Sequence, residues 1–173
     1  MTDQIHLRDA EISDAPALAR ISVSGWQQAY AGLLPRSYLE ALDVDARTRG
    51  WVQLLGSGTA QAIVAELSGV VAGFISFGPS RDADADTSAT AEVYAVYVDP
   101  DRWRHGIGRV LLDAAVARSM PVTACTLWVL AGNIDAQGFY RSQGFEPDGA
   151  TKTEDRNGVL LHEVRYRRAL TGL

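Results

Sequence analysis

"DRWRHGIGRVLLDAA", residues 101–115, sets a basic cluster and two glycines, Gly106 and Gly108, ahead of an apolar-periodic segment. Ile107, Val110, Leu111 and Ala114 recur at helical spacing, so the stretch predicts a loop running into a helix N-terminus. The bare N–H groups and dipole of such an end favour an anion, and residues without a Cβ let a phosphate approach the backbone. Arg102, Arg104, His105 and Arg109 add positive charge at the mouth. A strand-to-helix turn that merely requires glycine explains the same letters, and on these residues alone the two readings stand level.

Two phosphate-loop patterns fail here. A P-loop ends Gly-Lys-Ser/Thr, whereas Gly108 is followed by Arg109 and Val110. A dinucleotide fingerprint wants glycine or alanine where Leu111 stands, and an acidic residue ending the next strand.

Outward from the loop the period changes. "ATAEVYAVYV" (89–98) reads as a strand stopped by Asp99-Pro100, and alternation puts Glu92, Tyr94, Val96 and Val98 on one side. Upstream, "AQAIVAEL" (60–67), a turn at Ser68-Gly69 and "VVAGFISFG" (70–78) read as a hairpin. Downstream come the strand "TACTLWVL" (123–130), a short helix in "NIDAQGFYRSQG" (133–144) and a final strand in "LLHEVRYRRAL" (160–170). The first third holds a strand (4–12) and a helix over 14–30 with Ser13 as N-cap and Pro16 in its first turn. A short helix follows after Gly32 and Pro35, then another over 45–58. The pattern is one α+β domain over 1–173, with helices packed on a mainly antiparallel sheet.

Composition bounds the function. The net charge of −5 argues against a duplex nucleic-acid binder, which needs a broad basic face. The N-terminus shows no signal peptide, and no apolar run approaches the ~18–20 residues that span a bilayer. A single cysteine, Cys125, excludes an internal disulfide, fits a reducing compartment and reads as core, so a cytoplasmic protein is expected. No Cys/His spacing suggests a metal site. Asp82, Asp84 and Asp86 alternate with alanine and read as solvated loop rather than as a trap for a cationic substrate.

Two blocks resemble the GNAT N-acetyltransferase superfamily, in its branch of small-molecule and amino-acid acyltransferases. "VYAVYVDPDRWRHGIGRVLLDAA" (93–115) matches the family's Gln/Arg-x-x-Gly-x-Gly/Ala signature through Gly106 and Gly108, with Trp103 as a departure at the first position. "LWVLAGNIDAQGFYRSQGF" (127–145) is similar to its Asn-x-x-Ala-x-x-Phe-Tyr-x-x-x-Gly-Phe element through Asn133, Ala136, Phe139, Tyr140, Gly144 and Phe145. The opening segments "AEISDAPALARI" and "GWQQAYAGLLPRSYL" are also similar to that branch.

The resemblance implies a mixed sheet of six to seven strands, splayed where an acyl-CoA binds, with acetyl-CoA as acyl donor and no metal. The backbone of Val96, Tyr97 and Val98 would hydrogen-bond the pantetheine arm, with the Val98 amide facing the thioester oxygen. The amides of Arg104, His105, Gly106, Ile107, Gly108 and Arg109 would hold the pyrophosphate. Asn133 would bond the arm or cap its helix. Tyr140, two helical turns on along the same face, would protonate the departing thiolate. Glu92 is the candidate base, at the place where several catalytic members carry one, and His162 is its rival. Trp26 and Tyr30, four apart on one helix face, line the acceptor side or serve the core. The acceptor is expected to be a primary amine of a small molecule or peptide, with neither nucleic acid nor membrane as partner and a homodimer left open. The alternatives are a non-catalytic acyl-CoA sensor and a plain nucleotide-binding domain.

Overall fold

The period-two segments pair into one seven-stranded sheet in the computed structural model, which describes residues 4–170. The first and last three residues of the domain read over 1–173 lie outside that range. β1 (His6–Asp9), β2 (Gln61–Leu67), β3 (Val70–Pro79) and β4 (Thr90–Val98) follow one another antiparallel. β5 (Ala124–Leu130) runs parallel to β4 and antiparallel to β7 (Val159–Ala169), and β6 (Glu146–Arg156) forms the far edge. The spatial order is β1-β2-β3-β4-β5-β7-β6. Both hairpins turn on consecutive left-handed residues, Ser68 (φ 51°) with Gly69 (77°) and Asn157 (56°) with Gly158 (82°). Such pairs match the twist of antiparallel strands.

Helices cover both faces. α1 (Ala15–Ala29) has Pro16 in its first turn but is not capped by Ser13. A 3-10 turn over Ile12–Asp14 precedes it, and the Glu11 N–H donates to the Asp14 carboxylate at 2.7 Å. α2 (Arg36–Glu40) is short, and α3 (Val44–Ser57) is capped by the Asp43 side chain and ends at left-handed Gly58. α1 and α3 supply Leu18, Ile21, Trp51 and Leu55 against Val64 and Phe74 of the sheet. On the opposite face α4 (Ile107–Ser119) buries Ile107, Leu111, Leu112 and Ala115 against Ile75, Phe77, Val93 and Leu127, with α5 (Ile134–Ser142) alongside. Each fully buried Ile, Leu, Val or Phe side chain among these contributes about 1.5–3 kcal/mol relative to exposure.

Two irregularities of β4 shape the molecule. Ser76 faces Ala95 and Phe77 faces Val93, so Tyr94 is an extra residue on β4 and shifts the alternation there. Val93, Val96 and Val98 consequently pack on the α4 side, and Ala95 and Tyr97 on the α1–α3 side. This corrects the expected alignment of Glu92 with Val96 and Val98: Glu92 belongs to the Ala95–Tyr97 face. The second irregularity is a splay. β4 pairs with β5 only from Thr90–Ala124 to Val93–Leu127, after which the two strands separate.

Candidate active site

A cleft of about 970 Å³ opens where β4 and β5 part, lined by Tyr94–Val98 on one side and Leu127–Val129 on the other. The Asp99 N–H bonds the Ala72 carbonyl of β3 at 2.9 Å. Polar groups alternate along a strand, so those of Tyr97 also face β3, whereas those of Val96 and Val98 face the cleft. An open edge of this kind offers its backbone groups to an extended ligand with amides of its own. Tyr97 therefore departs from its expected role, since its backbone is committed to β3. Its side chain instead crosses to the α1–α3 face, where its hydroxyl accepts the Trp26 indole N–H at 2.6 Å.

The glycine loop closes one end of the cleft, lined by Arg102, Trp103, Arg104, Gly106, Ile107, Gly108 and Arg109. Gly106 caps α4 in the left-handed region at φ 80°, and Arg104 also sits there at φ 66°. The first bond into the helix runs from the Val110 N–H to the Gly106 carbonyl, so the amides of Ile107, Gly108 and Arg109 find no acceptor within it. Gly108 has a packing reason as well: a Cβ there would stand 3.2 Å from Phe139 Cζ on α5. The His105 ring turns back onto its own loop, with Nδ1 2.9 Å from the Trp103 carbonyl, and does not line the cleft. Trp103 gains an explanation. Its indole N–H donates to the Val98 carbonyl at 2.8 Å and ties the loop to the end of β4.

Asn133 and Tyr140 both line the cleft from α5. Asn133 takes the capping role, its side-chain oxygen accepting the Ala136 N–H at 3.2 Å. Gln137, which the sequence reading passed over, fixes this helix. It is buried, donates to the Leu130 and Ala131 carbonyls at 3.1 and 2.9 Å, and accepts the Tyr166 hydroxyl at 3.2 Å. Tyr140 packs its ring between Phe139, Phe145 and Tyr166, and its hydroxyl has no hydrogen-bond partner among the described residues. Burial, with the Tyr97 phenol nearby, pushes the Tyr140 phenol above its ordinary range.

The α1–α3 face supplies the other wall. Tyr30 lines the cleft, and burial and the nearby Tyr97, Tyr140 and Glu163 raise its phenol, against a hydrogen bond from Asn133. Trp26 does not line it. That ring is buried among Leu39, Leu130 and Leu161 and meets Tyr30 edge-on at 4.9 Å, supporting the wall from behind.

Two carboxylates line the cleft, Asp135 in the first turn of α5 and Glu163 of β7, the latter with Lys152 at 3.5 Å. Glu92 does not. It is 2% exposed, with one oxygen accepting the Arg81 backbone N–H and the other the Arg81 guanidinium, both at 2.7 Å. Glu92, the expected base, thus stands outside the cleft lining, its carboxylate held and covered by Arg81. His162 is exposed on the opposite side of β7 from Glu163 and pairs with Thr153 at 2.9 Å. The acidic loop is more than solvated surface: Asp82 and Asp84 bind Arg165 at 3.1 and 2.7 Å, and Asp82 accepts the Trp128 indole N–H. Cys125 is buried, its thiol pushed up to about 12 by burial. Among the described residues no group of His, Cys, Asp or Glu is assembled to hold a metal, and no helix is long and apolar enough to cross a membrane.

The model of the acetyltransferase (GNAT) family matches residues 25–145. A probable N-acetyltransferase of Mycobacterium tuberculosis is 34% identical over 169 residues, covering 94% of this chain and 92% of the relative. A solved GCN5-related N-acetyltransferase from Rhodopseudomonas palustris superposes with a TM-score of 0.75 at 25% identity, covering 98% of this chain and 99% of that one. The PaiA N-acetyltransferase of Thermoplasma acidophilum, solved with coenzyme A, shares the fold with a TM-score of 0.71 at 22% identity, covering 96% and 99%.

Proposed function

We propose that this chain, which belongs to the acetyltransferase (GNAT) family, passes an acetyl group from acetyl-CoA directly to a primary amine of a small molecule or peptide. One observation carries the reading: the open backbone edge of β4, the unpartnered amides of α4 and the Tyr140 hydroxyl line a single cleft. A donor with a pyrophosphate, an amide-bearing arm and a thioester fits that sequence of features.

Acetyl-CoA supplies the activated acyl group, and the chain's own residues do the rest. The amides of residues 104–109, with the Arg104 and Arg109 side chains, hold the pyrophosphate. Val96 and Val98 bind the arm as though it were a further strand, and Trp103 keeps the strand end and loop in register. The Val98 N–H stabilises the charge that develops on the carbonyl oxygen. Asn133 fixes the start of α5, and Tyr140 delivers its proton to the departing sulfur. Glu163, rather than Glu92, takes the proton lost by the amine, because it is the carboxylate lining the acceptor side of the cleft. The C–N bond forms as the C–S bond breaks. Cys125 offers no covalent route, being buried within the sheet with a raised thiol.

The test is CoA release from acetyl-CoA across a broad panel of primary amines, including amino acids, peptides and polyamines. Acetylation of at least one amine, verified by product mass, is the expected result. Tight CoA binding without turnover on any amine would refute catalysis and leave an acyl-CoA sensor.

A further inference from the structure

The acceptor side of the cleft carries positive charge that the transfer chemistry does not use. Arg47 of α3 lines it, its guanidinium 5.1 Å from the Trp26 ring centroid. Arg156, at the end of β6, lines it too, 5.8 Å from the same ring. Both also act on the Tyr97 phenol. Arg156 is engaged by Glu154 at 2.9 Å, and Lys152 lies between Glu154 and Glu163 at 3.3 and 3.5 Å. Arg47 has no carboxylate within 4.0 Å among the described residues. Three cations thus meet two anions on this wall, and the surplus charge rests on Arg47.

We propose that the amine acceptor is an amino acid, whose carboxylate docks on Arg47 with Arg156 beside it. This rests on the acetyl-transfer reading and narrows its acceptor. A planar guanidinium on an aromatic face is pre-organised for a bidentate carboxylate. An acceptor without an anion would cover Arg47 and strip its water while supplying no partner. A polyamine would add like charge to a wall that already has an excess. A peptide N-terminus lacks the carboxylate next to its amine. The Glu163 carboxylate in the same cleft suits the other end of the zwitterion.

The experiment compares matched sets in which only the anion changes: amino acids, their carboxamides, the decarboxylated amines and the aminophosphonate analogues. Acids should exceed carboxamides in kcat/KM by roughly 10- to 100-fold, the usual effect of a charge-assisted pair. Phosphonates that match the acids show a site for oxyanions generally, and acids alone show a carboxylate site. Either result supports the docking on Arg47. In Arg47→Gln the acid-to-carboxamide ratio should fall towards one, and Arg47→Lys should restore part of it. Circular dichroism confirms that each variant is folded. Calorimetry of acid and carboxamide binding to the CoA-loaded protein gives a readout independent of turnover. Carboxamides or simple amines that match the acids would overturn the proposal while leaving acetyl transfer intact. Absence of turnover on every amine would overturn the acetyl-transfer reading, and calorimetry would still decide the anion site.

Discussion

Tyr140→Phe isolates proton donation from packing. The substitution keeps the ring that packs against Phe139, Phe145 and Tyr166 and removes only the hydroxyl. That hydroxyl has no protein partner among the described residues, so its loss orphans no buried group, and stability should move by no more than about 1 kcal/mol. Rate is another matter. A positioned general acid contributes about 10²–10⁴-fold, and a leaving thiol with a pKa of about 8.5 needs less help than an alkoxide. The expected loss in kcat at neutral pH is therefore about ten-fold or more, or about 1.4 kcal/mol of barrier at the lower end. Single-turnover acetyl transfer should fall by the same factor, with little change in acetyl-CoA affinity.

The pH dependence carries a sign that follows from burial. A general acid at Tyr140 must be protonated, and this phenol is held above its ordinary value of 10. Wild-type kcat should accordingly show no alkaline fall from this group at or below pH 10. The deficit of the phenylalanine variant should shrink as pH rises past about 8.5, where the thiolate departs without a proton. A single-turnover rate within about two-fold of wild type at pH 7 would remove Tyr140 from the acid role. A deficit that stays constant with pH would point to positioning instead.

Gly106→Ala should raise the acetyl-CoA KM at a cost of about 1–2 kcal/mol, because a side chain is forced to φ 80° at the cap of α4. Gly108→Ala should lower the melting temperature instead, by driving a Cβ to 3.2 Å from Phe139. Glu92→Gln should destabilise urea unfolding by weakening the Arg81 tether while affecting kcat less than Glu163→Gln does; the reverse order in kcat would return Glu92 to the base role. Asp14 is held below its ordinary 3.8, chiefly by the Arg8 guanidinium at 2.8 and 2.9 Å. A carboxylate with a lowered folded pKa contributes stability that is full above its unfolded value and lost as pH falls through the folded one. Asp14→Asn should thus cost about 1–3 kcal/mol near neutral pH and flatten this part of the acid loss below pH 4, read from urea melts.

Most of the architecture was legible because it rests on periodicity and punctuation. The strands over 60–78 and 89–98, the α4 helix and the order of elements follow from alternation, helical spacing and breakers. The edge strand β6 is written less clearly, since its exposed alternation includes no apolar run, yet Asn157-Gly158 is a strong hairpin signal just before β7. Trp103 shows a different limit. Its letter departs from the family signature, but an indole N–H can still donate, and only the folded loop brings it to the Val98 carbonyl.

The position of Glu92 departs from simple alternation for a physical reason. Period-two alternation assumes an uninterrupted ladder, and a single unpaired residue, Tyr94, exchanges the faces on either side of it. Nothing in "ATAEVYAVYV" marks where that extra residue falls. The bulge turns Glu92 to the acceptor face, which suits a base, but the loop after β3 then sets Arg81 over it, and the guanidinium that satisfies a buried carboxylate also blocks its access to a ligand. Glu163 is harder to read beside His162 because β7 shows no clean alternation, with Glu163, Val164 and Arg165 all half-buried, and only the β5–β7 register, with Leu130 opposite Glu163, brings it to the cleft. Which of these two carboxylates faces the cleft is thus decided by one bulge and one long-range pairing, both of which lie beyond the reach of local pattern.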